Sequence, residues 1–247
     1  MKLKKFLKDY PSLYLWSKDN GHAIKSLSKN IPSDHINSIS SISNVNLFVN
    51  KNVLIPRQET LELIDLAVKI IKEKNLNYSA DIGTGSGFIG ISILKAVDNT
   101  DFRIDLVDKS IKSLYITKKN LESENLSENA ELIYSDLLEY LNEKHEKNPQ
   151  IIISNLPYIP SKKIRTLPKN VRKFEPVIAL DGGKDGTIYI KKLISQVWEK
   201  KIQYCVLEIY ETHEIPLTKY LKRYPFKEYR FIKDSFNNTR FLQLTID

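Results

Sequence analysis

Apolar and polar positions along the chain change period several times. From Thr60, apolar residues at 61, 64, 67, 68 and 71 recur at helical spacing, with Thr60 as the expected N-cap. After that, short apolar runs alternate with helical stretches. Strands are predicted over 78–82, 102–107, 130–134, 151–154 and 204–209. Helices are predicted over 88–97, 109–124 and 188–200. Runs at 227–233 and 240–246 flank Asp234-Ser-Phe-Asn-Asn-Thr239 and read as an antiparallel pair. Upstream, 47–55 reads as a hairpin around an Asn50-Lys51-Asn52 turn. Residues 1–44 are rich in Lys, Ser and Asn, and their scattered apolar positions suit short helices. Alternating strands and helices imply an α/β fold: a doubly wound, mostly parallel sheet with a C-terminal antiparallel hairpin. The expected division is a short helical segment over 1–44, a linking hairpin over 45–57 and the main domain over 58–247.

Composition adds little to that frame but excludes some classes. The chain has 247 residues, 41% of them hydrophobic. No apolar run approaches the roughly 18–20 residues of a membrane-spanning helix. The basic start lacks an apolar stretch that would make it a signal peptide. The single cysteine, Cys205, sits in an apolar run, so neither a disulfide framework nor a cysteine metal cluster is expected. A reducing, cytoplasmic setting and a monomer fit. The formal charge of +8 permits an anionic partner without naming one.

Chemistry concentrates at predicted strand ends. Asp81-Ile-Gly-Thr-Gly-Ser-Gly87-Phe-Ile-Gly90 joins the first strand of the alternating region to a helix. Glycines there let the backbone approach a ligand closely. Gly85-x-Gly87-x-x-Gly90 matches a dinucleotide fingerprint. The same loop reads as Asp-x-Gly-x-Gly-x-Gly, the form typical of S-adenosylmethionine enzymes, with Asp81 near the amino end of the methionine. Thr84 and Ser86 lie on the same loop. Asp108 ends the next strand, where a carboxylate accepts from both ribose hydroxyls of either cofactor; it also suits a helix N-cap. Asp136 ends the third strand and is placed to reach an adenine edge, with Leu137 over the ring.

The fourth strand ends in Asn155-Leu-Pro-Tyr158. A planar amide or amino nitrogen is a poor nucleophile because its lone pair is delocalised. Accepting both of its N–H bonds in one plane orients it for in-line displacement. Asn155 supplies one oxygen and the Leu156 carbonyl a second. Pro157 holds Leu156 extended, and Tyr158 packs on the flat group.

Together these motifs resemble the class I S-adenosylmethionine-dependent N-methyltransferases with an Asn-Pro-Pro-Tyr motif. The nearer resemblance is to the PrmC/HemK family, which methylates the glutamine of the Gly-Gly-Gln motif in peptide chain release factors. Leu54-Ile-Pro-Arg-Gln-Glu-Thr60 is similar to that family's Leu-Ile-Pro-Arg-Pro-Glu-Thr, and Phe174-Glu-Pro through Gly186 resembles its Glu-Pro and Gly-Gly segments. The resemblance covers about 32–247. It implies that Gly83, Thr84, Gly85, Ser86, Gly87, Asp108, Asp136 and Leu137 hold S-adenosyl-L-methionine, with Asp81 and Asn155 beside it. It implies that Asn155, Leu156, Pro157 and Tyr158 hold the glutamine amide. Arg57 and Glu59 would shape the cleft wall or form an ion pair, and Glu175 and Pro176 would line the substrate side. No metal is expected. There are departures: Leu156 replaces the first proline, Gln58 replaces a proline, and Tyr210 stands where the family has Gly after Glu-Ile. Asn-Leu-Pro-Tyr also occurs in ribosomal RNA adenine dimethylases, so RNA adenine N6-methylation is the alternative. A nicotinamide oxidoreductase would leave Asn155–Tyr158 without a role.

Overall fold

A computed structural model describes residues 39–43, 45–142 and 147–246. The helical segment expected over 1–44 lies outside these residues, apart from its last few. Those few form a strand.

The sheet is built as the alternation predicts. Strands β3 (Tyr78–Ile82), β4 (Arg103–Asp108), β5 (Ala130–Tyr134), β6 (Ile151–Ser154) and β7 (Tyr204–Glu208) run parallel. β8 (Glu228–Lys233) and β9 (Thr239–Thr245) pair antiparallel, and β9 also pairs antiparallel with β7. The order across the sheet is β5-β4-β3-β6-β7-β9-β8. Chain direction therefore switches sides between β3 and β6, where a doubly wound sheet opens a crevice at its carboxyl edge.

Helices cover both faces because the central strands are apolar on both sides. Ile151 and Ile153 join a core under α1 (Thr60–Glu73), α2 (Phe88–Val97) and α3 (Ile111–Ser123). Ile152 joins the opposite core, under α6 (Ile188–Glu199) and α7 (Glu214–Leu221). Such two-sided burial is what an unbroken Ile-Ile-Ile run encodes. Two short helices, α4 (Ser161–Ile164) and α5 (Lys169–Phe174), follow β6. The sequence pattern did not predict them or α7. Pro216 lies in the first turn of α7, where its missing N–H costs nothing.

The expected hairpin is displaced. β1 (Ile39–Ile42) pairs with β2 (Val45–Phe48), and the turn lies between them. Residues 49–57 pair with no strand. Asn50 instead accepts from the Asn52 N–H, closing a local turn. β2 is held from outside. The Asn120 side chain accepts from Phe48 N–H and donates to Phe48 C=O and to Ser86 C=O, so α3 ties β2 to the glycine loop.

Close packing fixes the glycine at the start of α2. A Cβ on Gly90 would stand 2.1 Å from Leu106 Cδ2. Gly90→Ala is expected to destabilise the fold by about 1–3 kcal/mol, measured as a drop in the urea midpoint. An unchanged midpoint would show that this contact is slack.

Candidate functional site

One cavity opens at the carboxyl edge over β3 and β6. Its walls include Gly83–Ser86, Asp108, Asp136, Leu137, Asn155, Leu156 and Pro157, with Arg57 and Thr60 to one side. Gathering these residues needs only the parallel register of Ser79–Ile82 with Ile151–Ser154, which brings both strand ends level.

The glycine loop is held by its neighbours. Gly83 and Thr84 N–H donate to Val107 C=O at 2.8 and 3.0 Å. Gly85 N–H donates to Asp108 Oδ2 at 3.0 Å, and Thr117 Oγ1 donates to Gly85 C=O. Gly83, Gly85 and Gly87 all have positive φ, so the turn requires glycine. Asp108 is not the α3 cap: Ser110 is, accepting from Ser113 N–H. Asp108 braces the loop from the cavity side, and burial pushes its pKa up.

Asp81 is placed differently from expectation. It is fully buried and does not line the cavity. Its Oδ2 accepts from Thr84 Oγ1 at 2.7 Å and from Gly90 N–H at 3.1 Å, while Oδ1 has no partner. Burial raises its pKa to about 7, and the nearby Asp108 adds to the rise. Gly87 also lies behind the wall, as the start of α2. Asp136 does line the cavity. Its Oδ2 accepts from Lys192 Nζ at 2.6 Å, and its buried Oδ1 is unpartnered. Leu137 follows with φ 58°, a left-handed conformation that disfavours leucine. Strain of this kind costs about 1–3 kcal/mol and gathers at binding sites.

Beyond β6, Asn155 Nδ2 donates to Thr60 Oγ1 at 3.1 Å. The Leu156 carbonyl has no hydrogen-bond partner among the described residues. The Leu156 side chain lies against the glycine loop: a Cβ on Gly83 would lie 3.0 Å from its Cδ2. A leucine is thus accommodated against the glycine loop. Tyr158 is not a cavity wall. Its ring stacks on Tyr210 at 6.2 Å, and its hydroxyl donates to Glu208 Oε1 at 3.2 Å. The Gly182–Gly186 loop braces this turn from behind: Gly182 N–H donates to Ile159 C=O at 2.9 Å, and a Cβ on Gly186 would stand 2.2 Å from Tyr158 O.

Three expectations need correcting. Thr60 is the first residue of α1, not its cap, because its hydroxyl is drawn inward to Glu208 Oε2 at 2.9 Å. Arg57 pairs with Glu175 at 2.6 Å, while Glu59 stays exposed. Glu175 and Pro176 do not line the cavity; Glu175 is buried behind Arg57. The sequence reading missed Glu208 and Tyr189. Glu208 ends an apolar strand as Asp108 does, which was the available signal. Tyr189 is a cavity wall with Lys109 Nζ 4.2 Å over its ring.

Asp81 generates a stability test. Its folded pKa is raised, so the folded state binds the extra proton between pH 4 and 7. Stability is therefore lost as pH rises through that window. Asp81→Asn removes this penalty. Its stability relative to wild type is expected to climb from pH 4 to 7 by on the order of a few kcal/mol, read from urea melts. A flat difference would mean that Asp81 is not held protonated.

The chain is similar to known methyltransferases. The Methyltransferase small domain family model matches residues 64–171. A release factor glutamine methyltransferase of Clostridium botulinum is 34% identical over 86% of this chain and 75% of its own length. One from Rhodopirellula baltica is 38% identical over 61% of this chain, which spans about half (51%) of that relative. The N-terminal domain of human METTL16, in complex with SAH, superposes with a TM-score of 0.62 at 16% identity, over 82% of this chain and 76% of that one. That likeness shows the shared class I methyltransferase fold. With 34% identity over 217 residues and three quarters of the relative's length, the chain belongs to the release factor glutamine methyltransferase family.

Proposed function

We propose that the protein transfers a methyl group from S-adenosyl-L-methionine to the side-chain amide nitrogen of the Gly-Gly-Gln glutamine in peptide chain release factors. The observation that carries this is the pair of acceptors at the end of β6: Asn155 Oδ1 and the Leu156 carbonyl.

The residues present fit the cofactor. The crevice holds a positive-φ glycine loop and two carboxylates on its wall, with one unpartnered carboxylate oxygen buried behind the loop, Asp81 Oδ1, and one on the wall, Asp136 Oδ1. A ligand carrying sulfonium and ammonium charges would relieve the first, and an adenine amino group would suit the second. Gly83–Ser86 would hold the methionine end, Asp108 the ribose, and Asp136 with Leu137 the base. S-adenosylmethionine supplies an electrophilic methyl group when bound. The chain's own work is on the amide. Two acceptors hold both N–H bonds in one plane, present the nitrogen's face to the cavity, and stabilise the positive charge that develops there on alkylation. Pro157 keeps Leu156 extended, which aims its carbonyl.

The RNA adenine reading shares the clamp. The Leu54–Thr60 and Glu175–Pro176 segments, which resemble those of the glutamine methyltransferases, favour glutamine, and Glu175 holds Arg57 of the cavity wall from behind. Labelled S-adenosylmethionine should mark wild-type release factor, and neither its Gln→Ala variant nor ribosomal RNA. Label on RNA, or label that survives Gln→Ala, would overturn the reading. Asn155→Ala is expected to lower kcat by about 100-fold with cofactor affinity nearly unchanged.

A further inference from the structure

Donor and acceptor counting around Glu208 determines which way Asn155 faces. Glu208 is buried at the end of β7, 1% exposed. As a carboxylate it only accepts hydrogen bonds. Thr60 Oγ1 lies 2.9 Å from Glu208 Oε2, so the single threonine proton points there. Thr60 Oγ1 is then an acceptor toward Asn155, 3.1 Å away, and only the Asn155 NH2 group can donate to it. The Asn155 amide is thereby fixed with Nδ2 toward Thr60 and Oδ1 toward the cavity. Glu208 Oε1 meanwhile accepts from Tyr158 at the other end of the same turn. One buried carboxylate orients both ends of Asn155–Tyr158.

We propose that Glu208 and Thr60 are positioning residues that set amide specificity by polarity. They present an acceptor, never a donor, to the incoming side chain. This rests on the glutamine reading above. A glutamine amide offers two N–H donors to that acceptor. A glutamate carboxylate offers none and is repelled. Without the Thr60 hydroxyl, Asn155 can rotate and present NH2, so discrimination between the two collapses.

The test uses Thr60→Val, which keeps the shape and removes the hydroxyl, and Thr60→Ser, which restores it. With release factor as substrate, Thr60→Val should lower kcat about tenfold or more at unchanged S-adenosylmethionine affinity. A release factor with its accepting Gln changed to Glu should inhibit Thr60→Val at least several-fold better than wild type. Thr60→Ser should reverse both effects. Equal inhibition of wild type and Thr60→Val, or a Thr60→Ser variant as impaired as Thr60→Val, would overturn the proposal. If the valine variant does not fold, Thr60→Val combined with Glu208→Gln removes the stranded charge and is read in the same way. Wild type failing to methylate release factor would instead sink the glutamine reading itself.

A second inference has an independent basis in charge. The fourteen residues 161–174 carry six cations and no carboxylate, in a chain whose formal excess is +8. Lys162, Lys163, Arg165, Lys169, Arg172 and Lys173 are all exposed, and none is ion-paired among the described residues. The segment starts three residues after Tyr158. Beyond it, Val177 and Ile178 are about half exposed, and Ile178 reaches the cavity wall. Tyr210 has Tyr158 stacked on its ring and Lys163 Nζ 5.3 Å from its centroid, and Lys173 Nζ lies 5.3 Å from the Phe174 centroid, so both nearby rings already have partners. We infer that this face docks an acidic protein surface beside the accepting side chain. The combined variant Lys162→Glu, Arg165→Glu, Lys169→Glu should raise KM for intact release factor about tenfold at low salt. It should flatten the salt dependence and leave kcat and cofactor affinity unchanged. A KM unmoved by the reversal, or competition by RNA and not by an acidic polypeptide, would overturn the inference.

Discussion

The parallel pairing of β3 with β6 is the constraint on which the site depends. Each strand brings different residues to its carboxyl end, the glycine loop after β3 and the Asn155–Tyr158 turn after β6. Level register places them side by side at the crevice. The adjacent pairs extend the same logic outward. β4 ends at Asp108, whose carboxylate ties Gly85, and β7 ends at Glu208, whose carboxylate reaches Thr60 and Tyr158. The crevice is thus lined at strand ends, with Asp108 on its wall and Glu208 buried behind it, above a two-sided apolar core.

Burial gives that wall its electrostatic character. Asp81, Asp108, Glu175 and Glu208 all have their pKa values raised, with desolvation the largest cause in each. A basic chain therefore keeps a set of poorly solvated carboxylates around one cavity. Arg57 compensates Glu175 directly, and Arg240 does so for Glu208 at longer range. Asp81 has only Thr84 and Gly90 as hydrogen-bond partners. The same burial makes Glu208 take its hydrogen bonds from the protein, from Thr60 and Tyr158, on either side of the Asn155–Tyr158 turn.

Motifs at strand ends were legible because they combine two signals, an apolar run and a polar stop. Asp108, Asp136, Leu137 and Asn155–Pro157 all line the crevice as their spacing suggested. The misplacements have a common cause. Asp81, Gly87 and Glu175 sit one layer behind the wall, and nothing in their local sequence separates touching a ligand from supporting the residue that does. Thr60 reads locally as a cap, yet its hydroxyl is claimed by a glutamate 148 residues away. The hairpin shifted for the reverse reason. Asn50-Lys-Asn52 does form a turn, but β2 had already taken β1 as its partner and is pinned by Asn120.

The α/β alternation, the glycine loop, the carboxylates at the strand ends and the Asn155–Tyr158 turn are legible in the residues alone. Each follows from local period, backbone freedom or a short run of residue types. Packing settles which carboxylate faces the crevice and which is buried behind it, that Arg57 pairs with Glu175, and that the Asn155 amide turns its Nδ2 to Thr60. Those outcomes depend on hydrogen-bond partners far apart in the chain and on who is shielded from water. Both are properties of packing, and no local stretch of residues encodes them.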